Sequence, residues 1–335
     1  MRNTVLHVLE GPWYGPEEHA FRAIAKAYPR YSHVVCTTCG LKSSRFSLRT
    51  MDRGFVDLMY SRLQERCDSV CEYDDDLCAN GDLDPACVIA YNVPGDLACA
   101  KAGVPRDRVI VWNFDSVVDA DFTAAGEPGV RPLFPMIDVR RLHRLHRKPE
   151  RHAFTVGFFV DQLAPESRLE PEPFVEAVKS LSDKAGSFPL GVDVVIPKFE
   201  LLRDQRWLDA ANDAVSSLGD GVGLCTFDSD YGWDGDVLPC CDCAVVFGSG
   251  RYPFAAVCAS AMRVPVVSVG GSLHFSHGST CIEAKASDVG RAAFWVHSNP
   301  NLASEVAERA FRASLSHSEG FNLPRIMEAI DACKG

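Results

Sequence analysis

The segment FGSGRYPFAAVCASAMRVPVVSVGGS, Phe247–Ser272, reads as strand, loop, helix, strand and glycine pair. Ligands of open α/β sheets bind beyond the carboxyl ends of the strands. Glycine loops ahead of helix amino termini leave N–H groups free for phosphate, and the helix dipole favours negative charge there. A diphosphate site is therefore expected from Gly248, Ser249, Gly250, Arg251 and Tyr252. Gly270, Gly271 and Ser272 form a second loop beside it, and Lys198, at the end of VDVVIPK, is a third contributor. The competing reading is that Gly248 and Gly250 only make a tight strand-to-helix turn.

Outward from this segment, strand and helix signals alternate along most of the chain. AFTVGFFV, GVDVVIPK, VGLCTF, CDCAVVFG, VPVVSVGG and RAAFWVH read as strands. PEPFVEAVKSLSDKAG, RWLDAANDAVSSLG, PFAAVCASAMR, LASEVAERAFRASLSH and LPRIMEAIDACK read as helices. The first half gives the strands TVLHVLE, YSHVVCTT, ACVIAYN and RVIVWNFD, and the helices EEHAFRAIAKAY, RGFVDLMYSRLQERC and GDLACAKAGV. Repeated strand–helix units predict parallel sheets with helices on both faces. The pattern stops over residues 136–152, MIDVRRLHRLHRKPERH, and restarts after it. The expected organisation is two doubly wound Rossmann-like domains facing a cleft, 1–140 and 153–318, with a carboxyl-terminal helix over 319–335.

The 335 residues are 47% hydrophobic and 24% charged, with no low-complexity tract. The amino terminus has no signal-peptide core, and no apolar run reaches the ~18–20 residues of a membrane span. The chain reads as a soluble cytoplasmic protein, with its oligomeric state left open. Net charge is −11. Residues 1–152 carry 20 Lys+Arg and 21 Asp+Glu, so the acidity lies in the second half and argues against a general polyanion binder there. Fourteen cysteines lie mostly in apolar runs, where a reduced thiol packs as a small hydrophobe. Cys36, Cys39, Cys67 and Cys71 have spacing suited to zinc; Cys36 and Cys39 end a strand, and Cys67 and Cys71 fall on a helical stretch. Packing is the competing and preferred reading, and no metal is expected at the site. Asp228-Ser229-Asp230 is read as a loop, and EYDDD at 72–76 as a solvated one.

The second half resembles the nucleotide-sugar domain of GT-B glycosyltransferases, in particular the glycogen-synthase-like and mannosyl-type group. Ser249, Arg251, Tyr252, Pro253, Phe254, Ala261, Met262, Pro265, Val266, Val267, Gly270 and Gly271 carry the likeness. LHVLEGPWYGPEEHAFRAIAKA resembles that group's first strand and loop, with Gly15, Glu18 and His19 in place. The resemblance implies transfer of a sugar from a nucleotide diphosphate sugar, a UDP-sugar above all, to a hydroxyl acceptor, without a further cofactor. Two glutamates of the group fall here on Tyr252 or Pro253 and on Ser260. Phe158 stands where a pyrophosphate-binding Arg is expected, with only Arg168 near the Lys position, and Phe114 precedes Asp115 in place of His. These departures leave the stereochemical outcome open and keep a non-catalytic nucleotide-binding module as an alternative.

Asp115, at the end of an apolar strand, can accept a proton from an acceptor hydroxyl, or cap the next helix. His19 lies one turn into the first helix, facing the cleft or solvent. Trp13 and Tyr14, next to Gly15, can stack on a sugar or base. His274 and His277 follow the glycine pair. Two basic runs, one with Lys42, Arg45, Arg49 and Arg53, the other with Arg140, Arg141, Arg144, Arg147, Lys148 and Arg151, point to a polyanionic acceptor. Double-stranded DNA bearing a hydroxymethylated base is the specific candidate; a small molecule or glycan is the alternative.

Overall fold

The computed structural model describes residues 4–9, 16–37, 69–72, 84–91, 98, 102–112, 136–145, 153–160, 171–184, 190–197, 205–218, 223–227, 240–247, 254–270 and 277–333. They fall into two compact units, one of Met1–Ile137 with His317–Gly335, the other of Asp138–Ser316.

In the first unit the described strands are β1 (Thr4–Leu9), β2 (Ser32–Thr37), β3 (Ser69–Glu72), β4 (Cys87–Tyr91) and β5 (Val109–Trp112). All pair in parallel, in the order β3-β2-β1-β4-β5. Alternation along the strands separates two faces. Leu6, Val8, Val34, Cys36, Val88 and Ala90 pack on one side with Ala98, Ala102 and Val104. On the other side His7 meets Phe21 of helix α1 (Pro16–Ala27) edge-on at 4.8 Å. The chain returns to this unit at its end. Ile137 N donates to His317 O at 2.8 Å, and the Tyr28 hydroxyl reaches Met327 O and Asp331 Oδ1 of the last helix, α8 (Glu319–Ala332), at 3.1 and 3.2 Å.

Under α1 lies a buried polar chain. His7 Nδ1 is 2.9 Å from the Tyr91 hydroxyl, His7 Nε2 is 3.1 Å from His33 Nδ1, and His33 Nε2 is 3.1 Å from Tyr28 O. The carbonyl can only accept, so His33 carries its proton on Nε2 and offers a bare Nδ1. His7 then donates from Nε2 and accepts at Nδ1 from the Tyr91 hydroxyl. With both rings neutral, this is the one arrangement that satisfies every contact. Burial, with His33 beside it, pushes the His7 imidazole well below its ordinary value of 6.5. Below that pH the unfolded chain binds a proton that the folded protein refuses, so stability falls as pH drops below about 6.5 and is regained above it. In urea titrations at a series of pH values, His7 should contribute up to about 1.4 kcal/mol per pH unit in that window. His7→Leu should remove that contribution while costing about 1–3 kcal/mol at neutral pH through the stranded Tyr91 and His33 groups.

The second unit contains α2 (Val139–Leu145), β6 (Phe154–Val160), α3 (Glu172–Ser182), β7 (Leu190–Pro197), α4 (Gln205–Ser216), β8 (Gly223–Phe227), β9 (Cys243–Phe247), α5 (Phe254–Ala261), β10 (Val266–Val269), β11 (Ile282–Ala284), α6 (Val289–Ser298) and α7 (Pro300–Ser314). Its parallel sheet runs β11-β10-β9-β6-β7-β8. β9 and β10 are buried at every residue, as strands covered on both faces must be. Phe158, Phe174 and Phe247, each under 2% exposed, pack with ring centroids 5.8–6.2 Å apart and tie β6 and β9 to α3.

Three readings are corrected. RAAFWVH is helix α6, not a strand: Val289, Ala292, Ala293 and Val296 are buried at helical spacing. Cys71 lies in β3, register partner of Cys36, and not on a helix. The stretch 136–152 holds helix α2, whose His143 Nδ1 accepts from Arg263 at 2.8 Å.

α6 lies unusually close to α3. A Cβ on Gly290 would overlap the Ser180 backbone carbonyl, and Gly290 N donates to Ser180 Oγ at 3.0 Å. Gly290→Ala should therefore lower stability by about 1–3 kcal/mol in denaturant titration. Gly320→Ala, in helix α8 with open space around it, should raise stability by about 0.4–1 kcal/mol.

Candidate functional site

Relabelled from its own first strand, the second sheet has the order 3-2-1-4-5-6. Its direction of growth reverses between β6 and β9, where Val160 is the register partner of Phe247. That reversal opens the crevice in which doubly wound sheets take ligands. The carboxyl ends of β6, β9 and β10 lead into it. The first sheet reverses in the same way between β1 and β4, with Leu9 the register partner of Tyr91.

The strand β9 and helix α5 bracket the 248–253 loop. Five buried strand residues set where the loop begins, and seven buried residues of α5, Ala255–Ala261, set where it ends. The far end of α5 is pinned by Arg263, which adopts a left-handed φ of 60° just past the helix. Its Nε donates to Glu308 at 2.7 Å, and its guanidinium lies 3.7 Å from the centre of the Phe311 ring. The hydrogen bond from Arg263 holds the Glu308 carboxyl below the usual carboxylate range. Helix α5 is thus fixed between α2 and α7, and its amino terminus is fixed with it.

Gly270 follows β10, is exposed, and has φ 98°, a conformation that a β-carbon disfavours. It is the member of the expected donor set whose geometry is described. Gly248, Ser249, Gly250, Arg251, Tyr252, Gly271, Ser272 and Lys198 lie outside the described residues. So do Asp115, Trp13, Tyr14, Gly15, Arg45, Arg49 and Arg147. Their neighbours place them in the chain: 248–252 follow β9, Asp115 is three residues past β5, and 13–15 immediately precede α1. His19 is buried, 5% exposed. Arg140 and Arg144 are exposed on α2, with Arg144 Nε donating to Arg140 O at 3.2 Å.

Ser260 is fully buried, and its hydroxyl donates to Ala256 O one turn back at 2.7 Å. That hydroxyl is thereby engaged by its own helix. Among the described residues no cluster of three metal-ligating side chains occurs. Cys39 and Cys67 lie outside the described residues. A cavity of about 810 Å3 in the second unit lies elsewhere, among β11, α6 and α7. Ile282, Lys285, Trp295, Leu302 and Val306 line it, together with His277; Gly270, the described member of the expected donor set, does not. The ring nitrogen of His277 accepts from Glu283 N at 2.9 Å and covers that backbone donor of the edge strand.

No family model and no curated protein sequence matches the chain. Solved structures do match, over nearly the whole length. Anabaena HepE in complex with UDP-glucose aligns with a TM-score of 0.61 at 14% identity, covering 98% of this chain and 99% of that one. A structure described as trehalose-6-phosphate from E. coli bound with UDP-2-fluoro glucose gives 0.58 at 10% identity, over 97% and 99%. Trehalose-6-phosphate synthase OtsA gives 0.52 at 9%, over 97% and 98%. The fold is GT-B. Two parallel Rossmann-like sheets, each with its reversal of strand order, make up that architecture here.

Two substitutions separate backbone from side-chain roles at this candidate site. Gly270→Val should cost about 1–3 kcal/mol of stability through the left-handed backbone and should weaken UDP binding measured by calorimetry. Ser260→Ala should leave the UDP dissociation constant unchanged within twofold; a larger loss would mean that the hydroxyl turns from Ala256 to the ligand.

Proposed function

We propose that this chain is a glycosyltransferase that moves a sugar from a UDP-sugar to a hydroxyl acceptor. One observation carries the reading: the likeness in fold spans 98% of the chain, and structures on that fold were solved with UDP-glucose or its fluorinated analogue. In this reading the donor diphosphate lies at the carboxyl ends of β9 and β10. Backbone amides of 248–250 and 270–272, with Ser249 and Arg251, hold the diphosphate, and the acids of the resembling group are absent at 252 or 253 and at 260. Tyr252 and Lys198 complete that side. Asp115 receives the acceptor proton, His19 is the second catalytic candidate, and Trp13, Tyr14 and Gly15 bind the acceptor.

For the acceptor, the exposed pair Arg140 and Arg144, with Arg45, Arg49 and Arg147, supports a polyanion, specifically a hydroxymethylated base in duplex DNA. The net charge of −11 supports a glycan or small molecule. Mass spectrometry after incubation with UDP-sugars and an acceptor panel that includes such a duplex decides between them. Arg251→Ala should weaken UDP binding by about 1–3 kcal/mol. Asp115→Asn should cut turnover by about 10²–10⁴-fold with UDP affinity and Tm retained. If DNA is the acceptor, its binding weakens steeply with salt, by a log–log slope of about −0.9 per neutralised phosphate, and Arg140→Ala with Arg144→Ala flattens that slope. UDP binding without turnover on any acceptor would leave a nucleotide-binding module in place of an enzyme.

A further inference from the structure

The cavity among β11, α6 and α7 measures about 810 Å3, within the roughly 300–1,000 Å3 of small-molecule sites. Its wall is held together by specific bonds. Arg309, on α7, donates from Nε to Ser279 O at 2.7 Å and from a terminal nitrogen to Gly278 O at 3.2 Å, so the 277–281 turn is tied to that helix. Gly278 N donates to Cys281 O at 2.8 Å and closes the turn. His277, at its start, accepts from Glu283 N and fixes the turn to β11.

The lining combines apolar surface with balanced charge. Trp295, Leu302 and Val306 supply the first. Lys285, Arg291 and Arg309 are matched by Glu283, Asp288 and Glu305. Two of these pairs are already made, Arg291 with Asp288 at 3.1 Å and Arg309 with Glu305 at 3.8 Å. Four polar groups keep no hydrogen-bond or ion-pair partner among the described residues: the Lys285 ammonium, the Glu283 carboxylate, the Trp295 indole N–H and the Nε2–H of His277, whose Nδ1 is taken by the Glu283 amide.

These open groups select a ligand. A nucleotide phosphate would bring its charge against three carboxylates with one cation left to pair it. A purely apolar molecule would cover Lys285 and Glu283 and leave both without partners. A hydroxyl both donates and accepts, so it satisfies an ammonium, an N–H and a carboxylate alike. A pyranose ring joins such hydroxyls to an apolar C–H face, which suits a half-buried indole. We propose that this cavity binds a short uncharged oligosaccharide, one ring of it on Trp295 and its hydroxyls shared among Lys285, Glu283 and His277. The site needs neither UDP nor turnover, so it stands apart from the proposed function.

The test is calorimetric titration of the full chain, without UDP, with maltotriose, cellotriose, laminaritriose and triacetylchitotriose. The expected result is saturable binding of at least one of them, with an affinity that salt leaves unchanged because the ligand carries no charge. Trp295→Ala should weaken it about tenfold, the worth of one aromatic contact. Leu302→Arg, at a half-exposed position on the cavity wall, should abolish it with Tm and UDP affinity retained. Two findings would overturn the proposal: none of these sugars binding at its solubility limit, or binding that survives Leu302→Arg. Sugar binding by a chain that binds no UDP would support this site and overturn the proposed donor instead.

Discussion

The pairing of β9 with β6 is the constraint on which the second unit rests. These strands lie far apart in sequence, yet Val156 through Val160 run in register with Cys243 through Phe247. A parallel pair of this kind cannot close through a tight turn, so its connections must cross over as helices on both faces. The apolar residues Val245 and Phe247 can face the core only if α3 and α6 cover that side, and their burial beside Phe158 and Phe174 shows that they do. Removing one such phenylalanine from a packed core costs about 3–5 kcal/mol. The same pairing places the ends of β6 and β9 side by side. Packing energy and position of the crevice are one property of this sheet.

Much of this was legible in the sequence. Strands covered on both faces appear as runs such as CVIAY and CAVVF with no polar member, and the helices appear by their 3.6-residue spacing. What stayed hidden has physical reasons. β11 is three residues at a sheet edge, half-exposed, with a glutamate in the middle, so it carries almost no apolar signal. β3 is four residues, also at an edge. α6 combines Phe294, Trp295 and Val296 in a row, which mimics a strand, while its buried stripe is made of alanines and valines of weak contrast. The His7–His33–Tyr91 chain could not be read at all, because it joins residues from three strands that only the fold brings together. At the candidate site, the turn at Gly270 was legible from its place after a strand, whereas the hydrogen bond that keeps Ser260 inside its helix needed coordinates.

Arg263 shows how this chain departs from a familiar pattern without losing the fold. A residue just past a helix in left-handed conformation is usually glycine, and a β-carbon there costs about 1–2 kcal/mol. The Phe311 ring beneath the guanidinium returns about 0.5–1 kcal/mol. The bonds to Glu308 and His143 add to that, and they bring α7 and α2 onto α5. A glycine would spare the backbone and lose all three contacts. The arginine accepts local strain in exchange for fixing the one helix whose amino terminus faces the 248–253 loop. Ser260, on that same helix, turns its hydroxyl onto the backbone of its own helix. Both changes act in one direction: they make α5 a better-anchored support and a poorer source of ligand-binding side chains. On the proposed function, a donor at this end is gripped by backbone amides and by residues 248–253, whose precision depends on how firmly α5 is held from behind.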